Sequence, residues 1–355
     1  MGDLTTPTEP RAGLMGWLRF YGSTVMYSGL PLFFWNRPAW TEKDMVDQSG
    51  KVDMDTPAAY YDHGAKVYIA CRSADRAKAA IDDIKKGGSV TLQGKMVYQP
   101  TVENSKTGSV EYIQLDLADL TSVEQCAAEF LSREERLDIL FANAGIMALP
   151  PGQYTKQGYS MQWGTNVLGH QRLISLLLPV LQATSRANPT APSRLITLAS
   201  AAHSTAPTGG VDYESLKKGG KVLERWIEYG ESKWGDIALA KWVDAHHGPK
   251  SGSTGGEVLA CAVHPGLVST PLYTHVSAAS LLPYLPWVHA MINVTAKDGA
   301  LAQLWAAEVP VHKARELSGG YVAPYESKIT HRPDLTVEAA EKVWEWCEQQ
   351  ARRTD

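Results

Sequence analysis

From about residue 60 onward, apolar runs of strand length alternate with segments whose apolar residues recur every three or four positions. "KVYIAC" (66–71), "VEYIQLDL" (110–117), "LDILFANAG" (137–145), "SRLITLAS" (193–200) and "GEVLACAVHPG" (256–266) read as buried strands. Between them, "SADRAKAAIDDIKK" (73–86), "TSVEQCAAEFL" (121–131), "MQWGTNVLGHQRLISLLLPVL" (161–181) and "YGESKWGDIALAKWVDAH" (229–246) carry helical periodicity. Ser73 and Thr121 are the expected caps of the first two helices. "AKDGALAQLWAAE" (296–308) reads as a further helix, "GGYVAPY" (319–325) as a last strand and "TVEAAEKVWEWCEQQARR" (336–353) as a closing helix. The polar, glycine-dotted stretch from 87 to 108 is expected to be a surface insertion. Strands alternating with helices predict an α/β fold, a doubly wound parallel sheet covered on both faces.

The pattern divides the chain into an apolar, aromatic arm over 1–48, one sheet domain over 49–330 and a C-terminal helix over 331–355. Within the domain, about 270–318 reads as a lid. The arm contains Trp17, Phe20, Phe33, Phe34 and Trp35, but glycine, serine and proline interrupt it. It lacks the roughly 20 consecutive apolar residues of a spanning helix and the layout of a signal peptide. It packs on the domain or rests on a membrane interface, where such rings are favoured. The expected location is the cytoplasm, with peripheral attachment to an intracellular membrane as the alternative.

Composition narrows the functions. Among 355 residues the net charge is −4, with no long basic run, which argues against a nucleic-acid partner. The four cysteines are scattered singly, so neither a metal site nor a disulfide framework is indicated, and a reducing compartment fits.

Chemistry in such sheets lies at the carboxyl ends of the strands. Those ends carry Arg72, Asp116, the "ANAG" turn at Ala142–Gly145, Ser200 and "HPGLVST" at His264–Thr270. The sharpest pair is Tyr229 and Lys233 in "YGESK", four apart and so on one helix face. An ammonium beside a phenol favours the phenolate and brings the group from about pKa 10 toward working pH. That suits moving a proton at a carbonyl or alcohol oxygen. Tyr213 and Lys217 in "YESLK" share the spacing but run into paired glycines, so Tyr229 is preferred. Ser200 would hydrogen-bond the substrate oxygen. Asn166, an amide inside a helical stretch, meets either a structural need or a proton path to Lys233.

In order along the chain, "ANAG", "GTN", "LAS", "YGESK" and "HPGLVST" resemble the short-chain dehydrogenase/reductase superfamily, specifically its retinol-dehydrogenase-like branch. "GAKVYIACRS", "LDLADL", "GVDYESL" and "GGYVAPY" add to the likeness, which runs from about Gly64 to Tyr325. The resemblance implies a Rossmann-like sheet and a catalytic tetrad of Asn166, Ser200, Tyr229 and Lys233. It implies an oxidoreductase interconverting a ketone or aldehyde and an alcohol. It also implies cofactor contacts at Asp116, Asn143, Tyr229, Lys233, Val268 and Thr270. Arg72, at the tip of the second strand, would pair with a 2′-phosphate and so select NADP(H) over NAD. The family's "NNAG" has Ala142 in first place here. Leu272, Tyr273, Leu281, Leu282, Tyr284 and Trp287 in the lid suggest an apolar small-molecule substrate. Paired helices often join subunits in this family, so a homodimer is also expected.

One part is missing. Family members carry "TGxxxGxG" after the first strand, where glycines let backbone amides approach the pyrophosphate. Here the stretch from Lys51 to Val67 is too short for a strand, turn and helix, so the first such unit is truncated. Three explanations stand: the sequence lacks a segment of an ordinary reductase; cofactor binds weakly through the surviving contacts; or the protein works without nicotinamide, as an isomerase, cyclase or non-catalytic binding protein.

Overall fold

The computed structural model describes residues 40–54, 57–87, 90–92, 95–98, 108–252, 254–268, 293–294, 296–323 and 327–352. Most of the arm and about half of the lid, with Thr270 and every lid residue named above, lie outside that set.

Twelve strands are described: β1 (Val52–Met54), β2 (Lys66–Cys71), β3 (Val90–Leu92), β4 (Lys95–Tyr98), β5 (Ser109–Gln114), β6 (Ile139–Ala142), β7 (Arg194–Leu198), β8 (Leu259–Val263), β9 (Leu267–Val268), β10 (Asn293–Val294), β11 (Tyr321–Ala323) and β12 (Ser327–Ile329). Eight form the main sheet in the order β12-β11-β8-β7-β6-β1-β2-β5. Its pairings are parallel, except that β12 runs antiparallel to β11 at the edge. The order reverses at β1, which places the crevice of a doubly wound sheet at the carboxyl ends of β1 and β6.

Helices cover both faces, as the alternating pattern requires. The helices are α1 (Pro57–Asp62), α2 (Ala74–Lys85), α3 (Leu120–Arg133), α4 (Gly169–Ala187), α5 (Arg225–His247), α6 (Ala296–Glu308), α7 (Val311–Leu317) and α8 (Val337–Ala351). One core joins the sheet to α3, α4, α5 and α8, and the other joins it to α1, α2, α6 and α7. Successive strand residues go to opposite cores. Leu140 and Ala142 enter the first, Ile139 and Phe141 the second. The closing helix α8 lies on α4 and α5. There Trp344 stacks on Trp242 with centroids 3.6 Å apart and planes 3° from parallel. Glu348 Oε1 accepts from Gln171 Nε2 at 2.9 Å and from Ser175 Oγ at 2.7 Å.

Two local expectations change. The cap of α3 is Asp119, whose Oδ1 accepts from Thr121 N at 3.1 Å; Thr121 is already inside the helix. The polar stretch after α2 holds structure of its own, the antiparallel pair β3–β4. Among the described residues, no helix is long and apolar enough to cross a membrane.

The first strand and helix are short. β1 has three residues, and only residues 55 and 56 separate it from the six-residue α1. Met54 pairs with Tyr68 of β2 and Leu140 of β6, so both neighbours run on toward the crevice after β1 has ended.

Candidate active site

Ser200 follows β7 and caps a short 3-10 turn at Ala201–Thr205, its Oγ accepting from Ala202 N at 3.2 Å. Tyr229 and Lys233 lie one turn apart on α5, whose first turn is capped by Glu224. The Ser200 side chain acts on the Tyr229 phenol and favours its ionisation. Lys233 Nζ lies 5.8 Å from the centre of the Tyr229 ring. Ser200 thus meets the Tyr229–Lys233 pair, well separated from it in sequence, beyond the carboxyl end of β7.

Asn166 has a structural reason to be in a helix. The segment Met161–Trp163 runs into a π-helical turn at Gly164–Leu168 and then into α4, with Asn166 in the middle of the turn. π-turns are frequent at functional sites. Fully buried, Asn166 accepts from Ile146 N through Oδ1 at 2.9 Å, and its Nδ2 donates to Ile146 O at 3.0 Å and to Ser232 Oγ at 2.9 Å. It staples the loop after "ANAG" to α5. Gly145, the last residue of that motif, permits the approach: a Cβ there would stand 3.2 Å from Asn166 Oδ1 and 3.7 Å from Lys233 Nζ.

The electrostatics depart from the simple picture of a phenol beside a free ammonium. Lys233 Nζ donates to Leu198 O at 2.6 Å and to Asp236 Oδ2 at 2.7 Å. Burial pushes the Tyr229 phenol well above its ordinary range; the Ser200 side chain draws it back, and the Asp236 charge adds to the rise. Burial pushes the Asp236 carboxyl up to about 7, against the pull of Lys233. His170, with Nδ1 2.7 Å from Asn166 O, is pushed down to about 4 by burial and stays neutral at physiological pH.

One side of Tyr229 is apolar. Met147, Ala148 and Tyr229 form a cluster of their own, with Ala202 and Trp226 against it. The Trp226 ring meets the Tyr229 ring edge-on at 6.3 Å. Ala148 has a φ of 50°, in the left-handed region that costs a residue with a Cβ. Its N–H is held at 2.8 Å by Oε1 of buried Gln162, whose Nε2 donates to Arg225 O at 3.0 Å in the first turn of α5.

The remaining candidates are spread along the crevice. Arg72 is exposed just beyond β2. Asp116 is half-buried and closes its own turn, with Oδ1 accepting from Ala118 N at 3.0 Å. Asn143 is half-buried after β6, and Val268 is half-buried in β9. The decoy pair separates: Tyr213 lies in a turn outside any helix and packs with Lys217 around Trp346. Sequence reasoning missed Asp236, Gln162, Ser232 and Trp226. Asp236 alone had a visible signal, an acid three residues beyond Lys233 on one helix face.

No glycine lies between Gly50 and Gly64, and three strand residues with a six-residue helix offer no pyrophosphate cradle.

A parallel sheet covered by helices on both faces, its strand order reversing at β1, defines the doubly wound class of α/β proteins. A family model described as short chain dehydrogenase matches residues 94–225. A short-chain dehydrogenase/reductase of Armillaria gallica is 34% identical over 330 residues, spanning 89% of this chain and 95% of that protein. The chain belongs to the short-chain dehydrogenase/reductase family. Among solved structures, the RhlG/NADP complex of Pseudomonas aeruginosa is similar at TM-score 0.53 and 18% identity, covering 82% of this chain and 98% of that one. The 3-ketoacyl-(acyl-carrier-protein) reductase of Brucella melitensis, complexed with NADH, has TM-score 0.52 and 17% identity, covering 78% and 97%. Both show the likeness of the fold.

Proposed function

We propose that this chain is an oxidoreductase of the retinol-dehydrogenase-like branch, interconverting a ketone or aldehyde and an alcohol on an apolar substrate. The observation that carries the reading is the convergence of Ser200, Tyr229 and Lys233, with Asn166 bracing the loop beside them. In this reading Tyr229 exchanges a proton with the substrate oxygen, and Ser200 holds that oxygen in place. Lys233 fixes the charge around the phenol, while Asn166 holds loop and helix in register. Met147, Ala148, Ala202 and Trp226 form the wall that favours an apolar compound. NADP(H) is the cofactor we assign, on Arg72 at the tip of β2. Arg72, Asp116, Asn143 and Val268 are available to its two ends. The missing cradle then predicts weaker binding than in a relative that has one.

Replacing Tyr229 by Phe tests the reading. Turnover of an apolar ketone with NADPH should fall at least ~100-fold, the low end of what a positioned proton donor contributes, while the melting temperature holds. Retained activity in that variant overturns the mechanism. A fluorescence titration of the purified chain with NADPH tests the cofactor separately: saturation below millimolar supports it, and no response at millimolar removes it.

A further inference from the structure

Lys233 faces Tyr229 as half of an ion pair. Asp236 Oδ2 is 2.7 Å from its ammonium, and the two side chains are only 6% and 2% exposed. Asp236 is fixed in turn, because its main-chain carbonyl accepts from Thr197 Oγ1 of β7 at 2.8 Å. Opposite charges this close largely cancel at the 5.8 Å that separates the ammonium from the ring centre.

The other ionisable groups around the pair leave that balance in place. From α4, His170 is buried and neutral near pH 7. From β11, the Tyr321 phenol is pushed well above its ordinary range by burial and by Tyr229. Its ring meets that of His203, itself pushed down to about 4 by burial. From the loop after β8, buried His264 is pushed down to about 3. Among the described residues, Asp236 is the charge that raises the phenol, and Lys233 is the cation paired with it.

We propose that Asp236 is a positioning residue that, by holding Lys233 in a buried ion pair, offsets the ammonium's field at Tyr229 and keeps the phenol protonated. The resting site then presents a proton, the form a carbonyl substrate requires. That last step rests on the oxidoreductase reading; the effect on the phenol does not.

The test is a titration of Tyr229 itself. Chains labelled with carbon-13 at the tyrosine ring Cζ are followed by NMR from pH 7 to 12, the Tyr229 signal being assigned by its loss in Tyr229→Phe. In Asp236→Asn, which keeps an oxygen for Lys233 and removes the charge, the phenol should titrate lower by about one unit or more. Asp236→Ala should shift it the same way, which covers the case in which the first variant folds poorly. Adding Lys233→Met to Asp236→Asn should cancel the drop. A phenol that titrates unchanged in the folded single variants overturns the proposal. In alcohol oxidation, which needs the phenolate, the rising acid-side limb of the pH profile should move down by the same amount. Absence of turnover in the wild type would count against the enzyme reading and leave the phenol titration to judge Asp236.

Discussion

The corner built by β7 and α5 and the corner built by β1 and α1 are adjacent parts of one sheet, made to different standards. At the first, two polar side chains are well held: Asn166 makes three hydrogen bonds and Lys233 two, and the Ser200 side chain acts on the Tyr229 phenol. At the second, Asp53 is fully buried in the middle of β1, and neither carboxylate oxygen has a hydrogen-bond partner among the described residues. Strand alternation puts Val52 and Met54 into the core under α3 and α4, so Asp53 points to the opposite one. Burial and the nearby Asp138 push its carboxyl well above the ordinary range. The contrast teaches that one sheet can hold polar side chains closely at the end of one strand and leave a buried carboxyl without a partner two strands away.

The most severe way to break this comparison is to repair the weak corner. Replacing residues 53–56 with a strand, a glycine-rich turn and a helix should tighten NADPH binding about 100-fold or more, since several backbone amides would then meet the pyrophosphate. Fluorescence titration of both chains reads the gain; equal affinities would mean that the contraction is not what limits binding.

A second experiment loosens the strong corner. Gly230 lies between Tyr229 and the 3-10 turn, and a Cβ there would fall 2.0 Å from Thr205 Oγ1 and 2.6 Å from Ala202 O. Gly230→Ala should therefore cost about 1–3 kcal/mol in urea unfolding and move Ser200 away from Tyr229. A variant of unchanged stability would show that the two elements are not in tight contact.

The smallest effect sharpens the comparison from the other side. Asp53→Val should stabilise the chain by about 1–3 kcal/mol at pH 8, the usual cost of an unpaired buried polar group. The sign follows from the raised carboxyl. The folded chain holds that proton more tightly than the unfolded one, so the wild type is most stable below the ordinary carboxylate pKa of about 4 and loses stability as pH rises through the folded value. The difference between variant and wild type should thus grow from pH 4 to pH 8 in denaturant melts. A difference independent of pH would locate the cost elsewhere.

Much of the fold was legible because periodicity records burial. "KVYIAC" and "SRLITLAS" contain β2 and β7, and "YGESKWGDIALAKWVDAH" lies within α5. Caps were less exact: Asp119 and Thr121 are both competent to end a helix, and only backbone geometry tells which one does. The strands β3 and β4 hid in a polar stretch because neither carries a long apolar run. At the site, residue types and spacing pointed to Tyr229 and Lys233, since one helix turn joins them. The pairing of Lys233 with Asp236 needed burial, which makes an i, i+3 contact strong here where the same spacing on a surface is weak. The bonds of Gln162 to Ala148 and Arg225 join segments that only tertiary folding brings together.

The stacked Trp242 and Trp344 have a consequence for watching this molecule at work. Two indoles 3.6 Å apart and nearly parallel share their electronic excitation, and one ring belongs to α5 while the other belongs to the closing helix. Separation of those helices must alter the ultraviolet absorption and emission of the pair. The chain thus carries an intrinsic optical gauge of whether its last helix is seated, readable without label, ligand or turnover.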